Sequence, residues 1–121
     1  MIKAIYFQEK EFNNCTPSCS LQDMNQDFMK KLDSARRIAG IPFVLNSAFR
    51  SEDWEKDHKR KGTSSHCEGR AVDIRCTTER NKFIIVDALT KAGFNRIGIA
   101  STYIHVDDSP THTPKVIWLY K

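Results

Sequence analysis

The sequence has no apolar run approaching the roughly 18 residues that a membrane span needs, so a spanning helix is not expected. Its opening stretch, Met1-Ile2-Lys3-Ala4-Ile5-Tyr6-Phe7, is too short to hold a signal h-region and a cleavage site. The expectation is a chain made in the cytoplasm and retained there unless something releases it. A dense basic stripe is also missing. Lys56, Lys59, Arg60 and Lys61 are interleaved with Glu55 and Asp57, and the formal net charge is only +4. A nucleic-acid surface wants clustered cations with stacking aromatics or a known motif, so nucleic acid is not an expected partner. There is no C-x-x-C pair, since Cys15 and Cys19 are separated by three residues, and this argues against a thiol redox protein. No internal repeat or low-complexity linker divides the chain.

What is present describes an ordinary soluble globular protein: 121 residues, 40% hydrophobic and 28% charged. That length is expected to form one domain, residues 1–121, burying about two-thirds of its unfolded surface. Cys15, Cys19, Cys67 and Cys76 allow three disulfide connectivities, and sequence does not choose among them. Without a secretory signal, free thiols are the default. Cys15 and Cys19 together with Cys67 or Cys76 form a candidate second, structural metal site.

The periodicities point to an α+β architecture. Phe28, Leu32, Ala35 and Ile38 recur at helical spacing, with Asp23 or Asn25 as the cap and Gly40-Ile41-Pro42 as the stop. A second helix is expected over Glu79 to Ala92, capped by Thr77 or Thr78, with Phe83, Val86 and Leu89 inward and Gly93 at its end. Trp54 to Lys61 reads as a short charged helix carrying Trp54 inward, with His58 solvated. Strands are expected at Pro42 to Ala48, 70–75, Arg96 to Ala100, the Tyr103 to Asp107 run and Val116 to Tyr120, and Ile2 to Phe7 is a candidate edge strand. The expected arrangement is two main helices packed on a mainly antiparallel sheet, with the functional site on the sheet's other face.

That site is expected around Ser64-Ser65-His66-Cys67-Glu68-Gly69-Arg70-Ala71-Val72-Asp73-Ile74. Asp73 lies between Val72 and Ile74, and His105 between Ile104 and Val106. In strands, successive side chains alternate between faces, so the aliphatic residues enter the core and the two polar residues emerge opposite. His66 arrives from the preceding loop, where Gly69 supplies backbone freedom. Imidazole nitrogen plus carboxylate oxygen suits Zn²⁺ or a similar borderline ion, and three protein ligands leave a tetrahedral site one position short. The competing reading makes these residues structural, with Asp73 paired to Arg70 or Arg75. Cys67 is left out because adjacent residues on a loop point apart. Arg50, at a strand end, suits a bidentate carboxylate contact; alternatively it pairs on the surface with Glu52 or Asp53.

Ser65-His66-x-x-Gly69-x-Ala71-x-Asp73 followed by Ile104-His105-Val106-Asp107 resembles the M15 family of zinc D-Ala-D-Ala carboxypeptidases, and Ser47-Ala48-Phe49-Arg50-Ser51 resembles that family's Ser-x-Tyr-Arg-Ser segment. The likeness runs from about Phe43 to Asp108, with three segments in the family's order. It implies one zinc held by His66, Asp73 and His105, a hedgehog-like fold, and a substrate-gripping role for Arg50. It also implies hydrolysis of peptidoglycan stem peptides, as a carboxypeptidase or an endopeptidase. The compact, unsignalled single domain suits a phage-type or mobile-element enzyme, expected to be a monomer, that meets the wall only after release. Ser47, Ser65 and Tyr103 are the further substrate-binding candidates. The family's acidic residue three positions before the last His ligand is replaced by Thr102, which cannot shuttle a proton at neutral pH. Asp107 is then the best local general base or, alternatively, the residue that orients a ligand imidazole. Glu68 is a weaker candidate, and Asp108 points away if the strand continues. The second functional reading is a zinc-containing binding module that has lost turnover.

Overall fold

Helix α1, Gln26–Ala39, begins where the Asn25 side chain accepts a hydrogen bond from the Phe28 N–H and ends at Gly40, whose φ of +69° reverses the chain. The structure, a computed structural model, describes residues 1–13, 19–58 and 64–120, and only the backbone of residues 52 and 53. Strand β1, Leu45–Ser47, follows, then the short helix α2, Glu52–Asp57, capped by Ser51. A single 3₁₀ turn at Ser65–Glu68 leads through Gly69 into β2, Ala71–Arg75. Helix α3, Glu79–Lys91, capped by Thr78, is followed by β3, Arg96–Ile99, then β4, Tyr103–Asp107, and β5, Val116–Leu119.

The five strands form one sheet in the order β1-β2-β4-β3-β5. All neighbours are antiparallel except β3 and β5, which run parallel. The fold class is therefore α+β, as expected. Period-two alternation divides the sheet. Val72, Ile74, Ile97, Ile104 and Val106 enter a core shared with Phe28, Leu32, Ile85 and Leu89 of the helices. Asp73 pairs across the ladder with His105, Ala71 with Asp107, and Ser47 with Asp73. Those side chains lie on the face away from α1 and α3, which is where the site forms. Among the described residues, no helix is long and apolar enough to cross a membrane.

Several local expectations are corrected. Residues 2–7 do not form a strand. Their backbone donors are taken by side chains of the α1 region instead: Ile5 and Tyr6 donate to the Asp33 carboxylate at 2.9 and 3.1 Å, and Ile2 and Lys3 to Gln22 and Gln26 at 2.8 Å each. Ile38 is 44% exposed, lying roughly 80° round the helix from Phe28 at about 100° per residue and so on the flank of the buried face. Phe83 is 73% exposed, roughly 160° from Ile85; the inward residues of α3 are Ile85, Ala88 and Leu89. The strand expected over Pro42 to Ala48 is confined to β1. In α2, Trp54 is only half-buried and stacks on the exposed His58 ring, with centroids 3.8 Å apart. The residue that goes inward is Glu55.

Gly69 fixes the approach to the site. Its φ is +69°, and its carbonyl accepts from the Asn25 N–H at 2.8 Å, tying the 3₁₀ turn to the start of α1. A Cβ there would lie 2.3 Å from the Asp23 carbonyl oxygen, whereas one at Gly40, with the same φ, would meet nothing within 4 Å. Gly40→Ala should therefore cost only the left-handed backbone penalty of about 1–2 kcal/mol. Gly69→Ala adds a backbone collision and should lower the melting temperature clearly further, as thermal denaturation of the two variants will read.

Candidate metal centre

His66 is placed by the 3₁₀ turn, Asp73 by the middle of β2 and His105 by the middle of β4. All three are nearly buried, at 3%, 8% and 5% exposure. One ligand atom from each lies within 4.8 Å of the other two, the one group of three or more metal donors among the described residues. His66 Nε2 is 3.4 Å from Asp73 Oδ1, and His105 Nδ1 is 2.9 Å from the same oxygen. Donors bound tetrahedrally at about 2.0–2.1 Å from zinc would lie about 3.4 Å apart; the His66–Asp73 pair has that spacing, and the His105–Asp73 pair is closer.

The outer nitrogens make the fit more specific. His66 Nδ1 lies 2.7 Å from the Ala48 carbonyl oxygen, an acceptor, so this nitrogen carries the hydrogen and leaves the Nε2 lone pair facing the other donors. His105 Nε2 lies 2.6 Å from Asp107 Oδ2, so its Nδ1 is the inward atom. Imidazole ligands backed by a carbonyl or a carboxylate are the usual arrangement at protein metal sites.

Asp73 is also gripped from outside. Its Oδ2 accepts from Arg50 Nη2 at 3.2 Å, so its partner is Arg50 and not Arg70 or Arg75. Arg70 pairs with Asp108 at 3.1 Å. Arg50 in turn donates through Nε to Ser47 Oγ at 3.0 Å and through Nη1 to Glu55 at 3.1 Å. Three of its five donors are committed, and it lines the cleft over the three ligand candidates. Its expected surface partners, Glu52 and Asp53, have side chains outside the described set.

Burial alone would raise the pKa of Asp73. Hydrogen bonds and positive charge from His105 and His66 outweigh it and hold the carboxyl well below the usual carboxylate range. The opposing effects on His105 resolve upward, because Asp107 and Asp73 favour its charged form more than burial disfavours it. Asp107 is 0% exposed, and burial would raise its pKa too. Bonds from His105, from Arg96 Nε at 2.6 Å and from the Ser109 N–H at 3.1 Å bring it down to about 2. Ser65 Oγ adds a fourth donor at 3.2 Å. Both Asp107 oxygens are thus occupied.

The cleft has a volume of about 450 Å³ and is lined by the ligand candidates together with Arg50, Ser65 and Tyr103. Ser47 stands behind Arg50 and is not part of the lining; neither is Thr102, which is exposed at the β3–β4 turn. Sequence reasoning passed over Glu55, Arg96, His112, Trp118 and Tyr120, all of which line the cleft. For Trp118 and Tyr120 a signal existed. Alternation along β5 puts both on one face, and Gly98 on β3 leaves the room they fill: a Cβ there would lie 2.6 Å from the Trp118 ring and 2.7 Å from Tyr120. Glu55, noted in the sequence only as an acid interleaved with lysines, is 1% exposed, and burial is outweighed by Arg50 and Ser64, which keep its pKa low.

The cysteines are distributed differently from the default expectation. Cys67 and Cys76 are not in disulfides, but Cys19 is disulfide-bonded and so cannot serve as a thiolate ligand. Cys15, the other half of the suggested second metal site, lies outside the described residues.

Among curated proteins no sequence matches the chain. The family model described as Peptidase M15 matches residues 5–107, which include β1 to β4 and all three candidate ligands. With the match covering most of its length, the chain belongs to the M15 family of peptidases.

Proposed function

We propose that this chain, as one domain spanning residues 1–121, is a zinc-dependent peptidase that hydrolyses amide bonds in peptidoglycan stem peptides, of the D-Ala-D-Ala carboxypeptidase or endopeptidase type. The observation that carries the reading is the convergence of His66 Nε2, Asp73 Oδ1 and His105 Nδ1 on one wall of an open cleft, with both imidazoles backed from outside. A fixed guanidinium beside such a donor set suits a substrate that ends in, or presents, a carboxylate or carbonyl. The substrate class follows the family and the sequence segments shared with it.

His66, Asp73 and His105 would hold the ion, which supplies a lowered pKa for water and polarisation of the scissile carbonyl when bound. The remaining work belongs to the chain. Arg50, pinned by Ser47, Glu55 and Asp73, directs the N–H groups that have no partner among the described residues at substrate oxygen and adds positive charge where an oxyanion develops. Tyr103, in the cleft wall, offers a hydroxyl to the same end. Of the two roles open to Asp107, orienting His105 is favoured over proton transfer, because it is sealed from solvent and both its oxygens already accept hydrogen bonds. Ser65 supports Asp107 in that task. A zinc-bearing binding module without turnover is the second reading, and Thr102 at the family's acidic position is what favours it. Both readings take the working unit to be a monomer.

The purified protein should contain about one zinc per chain and release product from stem peptides in a reaction that a chelator stops and zinc restores. Zinc without turnover across a panel of wall peptides would leave the binding module. No zinc, with His66, Asp73 and His105 all replaceable, would overturn both readings. Asp107→Ala should weaken zinc binding by about 10- to 100-fold, as competition with a chromogenic chelator will measure. A further consequence concerns acid. The folded pKa of Asp107, about 2, lies below its ordinary value of 3.8. Its contribution of about 2 kcal/mol is therefore present above pH 4 and lost as pH falls toward 2. In metal-free protein, Asp107→Asn should flatten the stability–pH curve across that interval.

A further inference from the structure

We propose that His112, in the loop after β4, is the proton-transferring residue of the cleft, held in its working tautomer by Ser109 and Glu68. The inference rests on the peptidase reading above and supplies the acid–base group that Thr102 leaves missing.

The geometry fixes where the protons are. Ser109 Oγ donates to Glu68 Oε1 at 2.6 Å, and His112 Nδ1 lies 2.6 Å from the same Oγ. A hydroxyl has one hydrogen. With that hydrogen directed at the carboxylate, Ser109 can only accept from His112, so Nδ1 carries the ring hydrogen and Nε2 keeps its lone pair. Thr111 reinforces the arrangement, donating to Glu68 Oε2 at 3.3 Å while its N–H donates to Ser109 Oγ at 3.3 Å. Glu68 Oε1 is 3.7 Å from His112 Nδ1, so the carboxylate stands beside the ring as well as behind Ser109. His–Ser–Glu is thus a hydrogen-bonded relay whose outer end is an imidazole nitrogen with no partner among the described residues, on a ring that lines the same cleft as the metal donors.

The other cleft residues are unsuited to the task. Glu55 is 1% exposed and committed to Arg50. Arg50 and Arg96 do not release protons, and burial pushes the Tyr120 phenol above its already high ordinary value. Asp107 is sealed and does not line the cleft. The His112 side chain is 36% exposed, reachable by water, and of the residue type that exchanges protons near neutrality. In the reaction, Nε2 takes a proton from the attacking water as its oxygen bonds to the scissile carbonyl carbon. The same proton passes to the amine nitrogen as the C–N bond breaks, so His112 ends as it began.

The test compares zinc-loaded wild type, His112→Gln and Ser109→Ala on a stem pentapeptide ending in D-Ala-D-Ala, with zinc content measured for each. The ring tautomer of His112 is read independently by heteronuclear NMR. The expected result for His112→Gln is a kcat lower by about 10²–10⁴-fold, with KM within about threefold and full zinc content. The expected tautomer in wild type is Nδ1–H, lost in Ser109→Ala. Turnover by wild type with His112→Gln keeping more than a tenth of its kcat overturns this inference alone, as does an Nε2–H ring in wild type. A zinc-loaded wild type without turnover overturns it together with the peptidase reading.

Discussion

Everything in the site depends on the register of two strands. Asp73 stands directly opposite His105 across the β2–β4 ladder, and on the reverse face Val72 meets Val106 and Ile74 meets Ile104. A slip by one residue would turn the aliphatic pairs into the cleft and bury the charged ones among the helices, so the core enforces the pairing of the donors. The hydrophobic side of the sheet thereby specifies the polar side. His66 joins from a turn that is tied by Gly69 to the start of α1, the same helix that covers the core.

That polar side concentrates charge at low exposure, which is costly unless each group is matched. Asp73 is met by two imidazoles and a guanidinium, and Asp107 by an imidazole, a guanidinium, a hydroxyl and a backbone N–H. The two carboxylates share His105 between them. Their surroundings keep both ionised, leaving one to face the cleft and the other to stand behind it. The difference lies in position on one sheet face, since Asp73 of β2 stands opposite His105 while Asp107 is two residues beyond it on β4, beside Arg96 of β3.

Much of this was legible beforehand, for a physical reason. Alternation is a local property, so Val72-Asp73-Ile74 and Ile104-His105-Val106 announce their faces without knowledge of the fold. Helix caps are local too, and Asn25, Gly40 and Thr78 act as their chemistry suggests. What was not legible depends on partners distant in sequence. Ile2 to Phe7 has strand-like composition, but Asp33 and the side chains of Gln22 and Gln26 capture its backbone. The match between Gly98 and the Trp118–Tyr120 pair requires β5 to lie parallel beside β3, which no short window reveals. Glu55 looks solvated in a charged run until Arg50 is known to turn back toward it. Phe83 and Ile38 were placed by residue type, and helical phase put them elsewhere.

Two hydrogen bonds, one between backbones and one from a side chain to backbone, join the residues expected to grip substrate to those expected to hold the ion. The Arg50 N–H donates to the His66 carbonyl at 3.2 Å, and His66 Nδ1 meets the Ala48 carbonyl oxygen at 2.7 Å. The guanidinium arm and the first imidazole are therefore parts of one rigid piece. Under the proposed function this would make the cleft a ruler: the span from an oxygen held by Arg50 to the attacked carbon would be set by the fold and not by the substrate. Shifting the cut by one residue along a peptide would require re-laying the 48–50 segment against the 65–68 turn, a change of architecture and not of a side chain.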